Sequence, residues 1–159
     1  MKTISINEIK KELERKESNE LLSYCLRLAK SKKENKELLG FLLFEADDLT
    51  EYIENVKQEV DRAFEEINKT NVYYIKKSVR KILRGVNKHI RFISSRQEEA
   101  ELLIHFCNCF IEYFIPLEKS RQLSNLYESQ LKKIENVLSS LHPDLQYDLR
   151  KQIRSLDEK

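Results

Sequence analysis

Residues that interrupt helices are scarce in this sequence, which has two glycines and two prolines among its 159 residues. Glycine and proline are the least favourable residues in a helix interior, so their scarcity favours long helices over loops. Charged residues make up 35% of the chain, and tryptophan is absent. This composition predicts an all-α fold in which short turns join the helices, and we expect neither sheets nor long loops.

Cysteine is also scarce, with Cys25, Cys107 and Cys109 as the three examples. An odd number of cysteines without framework spacing is typical of a reducing compartment. No apolar run of the signal-peptide type follows Met1. The most apolar segment, residues 102–117, is shorter than the roughly 20 residues that a membrane span needs. We therefore expect a cytoplasmic protein without a membrane partner, and a buried helix in this segment.

The chain has little excess charge of either sign, because its formal net charge at pH 7 is +2. Such a balance excludes a protein that binds nucleic acid through its total charge alone. Any electrostatic function must come from charges that are segregated on the surface.

Apolar residues recur at helical spacing along the whole chain and predict a single domain, residues 1–159, of seven or eight helices. Two segments, residues 37–46 and 101–115, are apolar around most of a helix circumference. We therefore expect neighbouring helices to enclose both of them at the centre of the fold. Pro143 suits a first helical position and introduces a last helix over residues 143–156.

Two consecutive helices carry charges of opposite sign. Between residues 49 and 67, apolar residues recur in steps of four and three, and carboxylates occupy the opposite face. Those carboxylates are Asp47, Glu51, Glu54, Asp61 and Glu65. The same apolar spacing recurs between residues 72 and 93, and no acidic residue occurs from Lys69 to Arg96. Because both charged faces lie opposite an apolar stripe, we expect both to point to water.

Part of the chain matches another part at a constant offset of 64 residues. Residues 26–39 align with residues 90–103, so that Leu38 matches Leu102 and Leu39 matches Leu103. Two interpretations stay open. A duplication would give pseudo-repeats over residues 18–67 and 72–141 that stack as a short α-solenoid. Chance matches in a chain of few residue types would leave a helical bundle without internal symmetry.

The basic helix contains the candidate binding surface. On a helical wheel, one aromatic residue and six cations share an arc opposite the apolar stripe. These residues are Tyr73, Lys77, Arg80, Lys81, Arg84, Lys88 and Arg91. Spaced cations can follow phosphates and exposed rings can stack on unpaired bases, and Tyr74 and Phe92 lie at the edge of the arc. The pattern suits RNA or single-stranded nucleic acid, an acidic protein, or a solvated face without a partner.

An enzyme is a further interpretation, because helical pyrophosphohydrolases hold Mg²⁺ with paired carboxylates from two helices. The first candidate carboxylates are Glu45, Asp48, Glu51 and Glu54. Successive steps of three residues spread these four over half of the helix circumference. Glu98 and Glu101 are the candidates for a second pair, and a capping box at Ser95 together with the helix dipole already accounts for them.

A metal site is not predicted. His105, Cys107 and Cys109 do not converge on a helix, since Cys107 projects about 160° away from the other two. His105 and Cys109 share a face, but two ligands fall short of a site. His89 lies at the border of the apolar stripe, as a structural histidine would. Gly85 indicates a close helix crossing, a local bend or simple tolerance.

The sequence therefore predicts a non-enzymatic helical module without a cofactor, a metal or an evident small-molecule substrate. Its basic face would bind a polyanion, either nucleic acid or an acidic protein. A structural or self-associating protein is the first alternative, with acidic and basic faces meeting between copies. A helical metal-dependent nucleotide pyrophosphohydrolase is the second.

Overall fold

The computed structural model describes residues 3–154, and this part of the chain forms eight α-helices, one short 3₁₀ helix and no strand. The helices are α1 (Ile6–Leu13), α2 (Ser18–Ser31), α3 (Lys33–Phe44), α4 (Leu49–Glu65), α5 (Val72–Ile93), α6 (Arg96–Glu112), α7 (Arg121–Leu138) and α8 (Pro143–Gln152). The 3₁₀ helix spans Leu117–Lys119. The all-α prediction and the number of helices are confirmed. The predicted last helix, residues 143–156, ends at Gln152, and residues 155 and 156 lie outside the described residues.

The contacts between residues divide the chain into two compact units, Met1–Glu45 and Ala46–Lys159. Unit 1 contains α1, α2 and α3, and unit 2 contains α4 to α8. The single domain predicted over residues 1–159 stays a prediction.

Unit 1 is a helical hairpin of α2 and α3 preceded by the short helix α1. The extended backbone of Lys32 separates α2 from α3. The Asn35 side chain of α3 donates to the Leu28 carbonyl oxygen at 3.0 Å, so it satisfies a carbonyl in the last turn of α2. In the described part of unit 1, residues 3–45, Phe41 is the one buried residue.

The prediction that neighbours enclose residues 37–46 is wrong. Leu42 and Leu43 are 56% and 62% exposed, and Phe44 is 83% exposed. Apolar residues on most of a helix circumference show that several sides could be buried, but burial also requires enough neighbouring helices. Within unit 1, α3 packs against α2.

Unit 2 is built around α6, which contacts α4, α5, α7 and α8. Its buried residues cover about 220° of the helix circumference and include Leu103, Phe106 and Phe110. The Phe64 ring of α4 meets the rings of Phe106 and Phe110 edge to face, with centroids 5.6 and 5.7 Å apart. The prediction of a central helix over residues 101–115 is confirmed for unit 2 as far as Glu112, where α6 ends, whereas Phe114 is 73% exposed.

Side-chain caps fix where the two charged helices begin. Asp48 accepts a hydrogen bond from the Glu51 backbone N–H at 3.0 Å, and Asn71 accepts from the Tyr73 N–H at 2.8 Å. Both caps satisfy donors that the first helical turn leaves free. They start α4 at Leu49 and α5 at Val72, where the apolar spacing predicts the helices.

The order of the helices recurs along the chain, but their surroundings do not. The apolar helix of the first pseudo-repeat is α3, which buries Phe41 alone, whereas its counterpart α6 buries residues over more than half of its circumference. The two-fold internal repeat is not confirmed and stays a prediction.

Candidate functional site

The candidate basic face lies along the outer side of α5. Tyr73, Lys77, Arg80, Lys81, Arg84 and Arg91 are exposed there, and Lys88 is half-buried. At 100° per residue these positions share about 100° of the helix circumference. The opposite side buries a stripe of Ile75, Val79, Ile82 and Val86 against the core of unit 2. The structure therefore brings the predicted residues together on one side of one helix.

Several of these cations have no neutralising contact with the residues that the structure describes. Within residues 3–154, the side chains of Lys77, Lys81 and Arg84 form neither a hydrogen bond nor an ion pair. Arg80 and Lys76 both donate to the Oε1 atom of Gln122 on α7, at 3.3 and 3.1 Å. Because an amide carries no net charge, this contact orients two cations without removing their positive potential.

The start of α5 adds to the positive potential. The first turn of α5 contains no acidic residue, and the partial positive charge of a helix dipole lies at this end. Tyr73 and Tyr74 occupy this first turn and are 61% and 47% exposed. Their rings meet edge to face with centroids 5.7 Å apart, so an aromatic pair stands at the positive end of the helix.

Phe92 does not belong to this surface. The sequence placed its ring at the edge of the basic arc, but Phe92 is buried and 7% exposed. Its ring centroid lies 6.3 Å from that of His89, which precedes it by almost one helical turn. The exposed aromatic residues therefore lie at the beginning of α5 rather than along its whole length.

An apolar groove of about 330 Å³ runs between α4 and α5. Its lining includes the apolar side chains of Val60 and Ile82, Glu59 of α4, Glu66 just after the end of α4, and Lys81 of α5. A polyanion that crossed this groove would approach the carboxylates of α4. The charges therefore favour an anion that lies along α5 rather than across it.

Gly85 also lines this groove, and it does not mark a close helix crossing. A Cβ atom built at Gly85 meets no atom within 4 Å, and the same holds for Gly40 in α3. Neither glycine is required by a neighbouring helix. Of the interpretations left open by the sequence, a close crossing is wrong for Gly85.

His89 also lines the groove, and both of its ring nitrogens lie near polar groups. Its Nδ1 atom is 2.7 Å from the Tyr52 hydroxyl oxygen, and its Nε2 atom is 3.7 Å from a Glu59 carboxylate oxygen. This geometry agrees with the structural histidine that the sequence favoured.

Several of the candidate pyrophosphohydrolase carboxylates have other partners. Asp48 caps α4, whereas Glu54 and Glu101 both bind the Lys57 ammonium, at 3.0 and 2.6 Å. Burial lowers the pKa of Lys57, but the hydrogen bonds and charges of Glu101 and Glu54 outweigh it and raise the pKa overall. A side-chain cation thus lies between the two carboxylates that come from different helices.

A second polar contact between α4 and α6 was not predicted from the sequence. The His105 Nε2 atom is 2.7 Å from Asp61 Oδ1, and the Cys109 Sγ atom is 3.5 Å from the same oxygen. Asp61 is half-buried, so its assignment to the solvated acidic face of α4 is wrong. Because α4 packs against both α5 and α6, the buried part of its circumference is wider than its one apolar stripe indicates. The sequence feature that pointed to this contact was the i, i+4 spacing of His105 and Cys109, which places both side chains on one face of α6.

The two cysteines of α6 are poor nucleophiles. Burial raises the pKa of the Cys107 thiol to about 12. Burial also raises the pKa of Cys109, and the nearby Asp61 carboxylate raises it further. A nucleophilic cysteine needs its thiolate form, so these thiols do not support cysteine-based catalysis without a bound cation.

Among residues 3–154, no helix combines the length and the hydropathy that crossing a bilayer requires. Comparisons with protein-family models, with curated proteins and with solved structures find no match to this chain.

Proposed function

We propose that this protein is a non-enzymatic binding module that holds a single-stranded nucleic acid along the basic face of α5. One observation supports the proposal above all others. Lys77, Lys81 and Arg84 are exposed in one line, without a hydrogen-bond or ion-pair partner among residues 3–154. A row of unneutralised cations without an interspersed carboxylate attracts a polyanion.

The dimensions of the face suit a short stretch of backbone. From Tyr73 to Arg84 the helix rises about 17 Å, at 1.5 Å per residue. The cations of this stretch can each approach a phosphate, and Gln122 keeps Arg80 directed along the same surface. Binding should therefore weaken as salt rises, because each neutralised phosphate of a single strand contributes about 0.7 to the logarithmic salt slope.

Exposed tyrosines favour nucleic acid over an acidic protein. Tyr73 is 61% exposed beside the cations, and an exposed ring is a surface on which an unpaired base can stack. An acidic protein would use the cations but gain little from the ring. The two kinds of partner therefore differ in how strongly they depend on Tyr73.

The first experiment measures binding of a fluorescently labelled single-stranded RNA by anisotropy at several salt concentrations. Lys77→Glu combined with Arg84→Glu should weaken binding and make the logarithmic salt slope shallower by about 1.4, since two phosphate contacts are lost. The matched control combines Lys11→Glu with Lys132→Glu, which makes the same charge change at exposed positions of α1 and α7. An equal loss in both double variants would contradict the proposal, because total charge would then explain binding.

A second measurement separates the two kinds of polyanion. Tyr73→Ala should cost about 1–3 kcal/mol of binding free energy for the RNA, the range measured for base stacking. Binding of a polyglutamate of equal charge should change little. A stronger dependence of polyglutamate than of RNA on Tyr73 would instead favour an acidic protein partner.

Self-association is a second candidate function, and the surface of unit 1 favours it. Leu42, Leu43 and Phe44 are each more than half exposed, and Phe41 is the one buried residue of the described part of this unit. A unit of this size seldom buries enough apolar surface to be stable alone, and oligomerisation is a common remedy. A second copy would supply the missing neighbours of α3.

Sedimentation at rising protein concentration tests this second candidate. Association through the apolar face of α3 should persist or strengthen at high salt, whereas association between the charged faces of α4 and α5 should weaken. Leu43→Glu combined with Phe44→Glu should abolish association through the apolar face of α3. The control is Phe114→Glu, which places the same charge at a 73% exposed site of unit 2. A protein that stays monomeric at every salt concentration would contradict both forms.

A further inference from the structure

The contact between α4 and α6 contains two polar clusters of different chemistry. These helices are parallel, because Lys57 and Asp61 of α4 meet Glu101 and His105 of α6 in the same order. In the first cluster, the Lys57 ammonium balances the carboxylates. The second cluster lies one helical turn later and consists of Asp61, His105 and the buried Cys109, without a lysine or an arginine among the three.

We propose that Asp61, His105 and Cys109 bind a single Zn²⁺ ion between α4 and α6. One oxygen, one nitrogen and one sulfur donor from these side chains lie within 4.8 Å of one another. His105 and Cys109 lie on one face of α6 at i, i+4, the spacing at which two ligands on one helix converge on a metal. Asp61 supplies the third donor from the neighbouring helix.

The distances are close to those of a tetrahedral zinc site. Zinc bonds of about 2.1 Å to oxygen and 2.3 Å to sulfur place these two donors about 3.6 Å apart at a tetrahedral angle. The Asp61 Oδ1 and Cys109 Sγ atoms are 3.5 Å apart. Nitrogen and oxygen ligands should be separated by about 3.4 Å, so the 2.7 Å between His105 and Asp61 must widen by a fraction of an ångström.

The donor set selects a borderline-soft divalent ion. Mg²⁺ and Ca²⁺ require oxygen ligands, whereas imidazole together with thiolate is typical of zinc. Zn²⁺ would also balance the negative charge of the Asp61 carboxylate. Water can reach the fourth position, because the Asp61 and His105 side chains are 37% and 23% exposed.

The test uses residues 1–159 with Cys25, a free and exposed cysteine, replaced by serine in every sample, so that this side chain cannot bind metal. Competition with a chromophoric chelator should give one Zn²⁺ per chain. Co²⁺ substitution should give a thiolate-to-cobalt charge-transfer band and visible bands of tetrahedral intensity. Cys109→Ser should remove the charge-transfer band, whereas Cys107→Ser, which changes the other buried thiol of α6, should keep it.

His105→Gln and Asp61→Asn provide variants at less buried positions and guard against loss of folding in Cys109→Ser. Each should weaken Zn²⁺ binding at least about 10-fold while the helical circular dichroism spectrum stays unchanged. Absence of stoichiometric Zn²⁺ binding to the Cys25→Ser protein would overturn the proposal. Retention of the charge-transfer band in folded Cys109→Ser, or unchanged affinity in folded His105→Gln, would overturn it as well.

Discussion

Two apolar helices of similar sequence, α3 and α6, have different surroundings in their units. Leu38 and Leu39 of α3 align with Leu102 and Leu103 of α6, yet Leu102 and Leu103 are buried and their counterparts are half-buried. The helix α6 contacts four other helices of unit 2, whereas α3 packs against α2 in unit 1. The positions of the apolar residues determine which sides of a helix can be buried. The number of neighbouring helices determines how many of those sides are buried.

The largest expected difference in stability between α3 and α6 concerns a matched pair of leucine-to-alanine substitutions. Leu103→Ala should lower the free energy of unfolding by about 2–5 kcal/mol, because it opens a cavity at a fully buried site. Leu39→Ala, at the aligned and half-buried position, should cost about 1 kcal/mol or less. Urea unfolding followed by circular dichroism measures both, and equal losses would show that α3 is as enclosed as α6.

A smaller effect is expected at the two aligned glutamates. Glu101 binds Lys57 of the neighbouring helix at 2.6 Å, whereas Glu37 binds Lys33 of its own helix at 3.8 Å. Lys57→Met should cost about 1–2 kcal/mol, because it leaves a partly buried carboxylate without its cation, while solvent screening limits the loss. Lys33→Met, at a 90% exposed side chain, should change stability within about 0.5 kcal/mol.

The pH dependence of the Lys57 contribution has a definite sign. The pKa of Lys57 is raised above its ordinary value of 10.5, so the folded protein binds this proton more tightly than the unfolded chain does. The stability difference between the wild type and Lys57→Met should therefore be complete below pH 10.5 and shrink as the pH rises through the raised pKa. Urea midpoints of both proteins across this range measure the difference, which a structurally unimportant lysine would not show.

The smallest effect should be a gain. Gly85→Ala should raise the free energy of unfolding by about 0.5–1 kcal/mol, because alanine favours a helix interior and its Cβ meets open space. Gly40→Ala has the same open surroundings in α3 and tests whether that helix contributes to the measured transition. Destabilisation by Gly85→Ala would show that the groove between α4 and α5 has no room for a Cβ atom at this position.

Sequence reasoning located the helices and the basic face, because both depend on local spacing. The apolar steps predicted where α4 and α5 begin, and the cations of α5 share the face that the helical wheel assigned to them. The surroundings of α3, Phe92 and Asp61 depend on contacts with other helices, which helical spacing does not contain. The contact of Asp61 with His105 in particular could not be predicted without knowing that α6 packs beside α4 in parallel orientation. The binding function itself stays a proposal.

The most direct test of that proposal is a titration of ¹⁵N-labelled protein with a short single-stranded RNA, followed by amide chemical shifts. We expect the changes to concentrate on α5 between residues 73 and 84, while α3 and the outer acidic face of α4 show little change. Changes centred on α3 or on α4, or no change at RNA concentrations well above that of the protein, would contradict it.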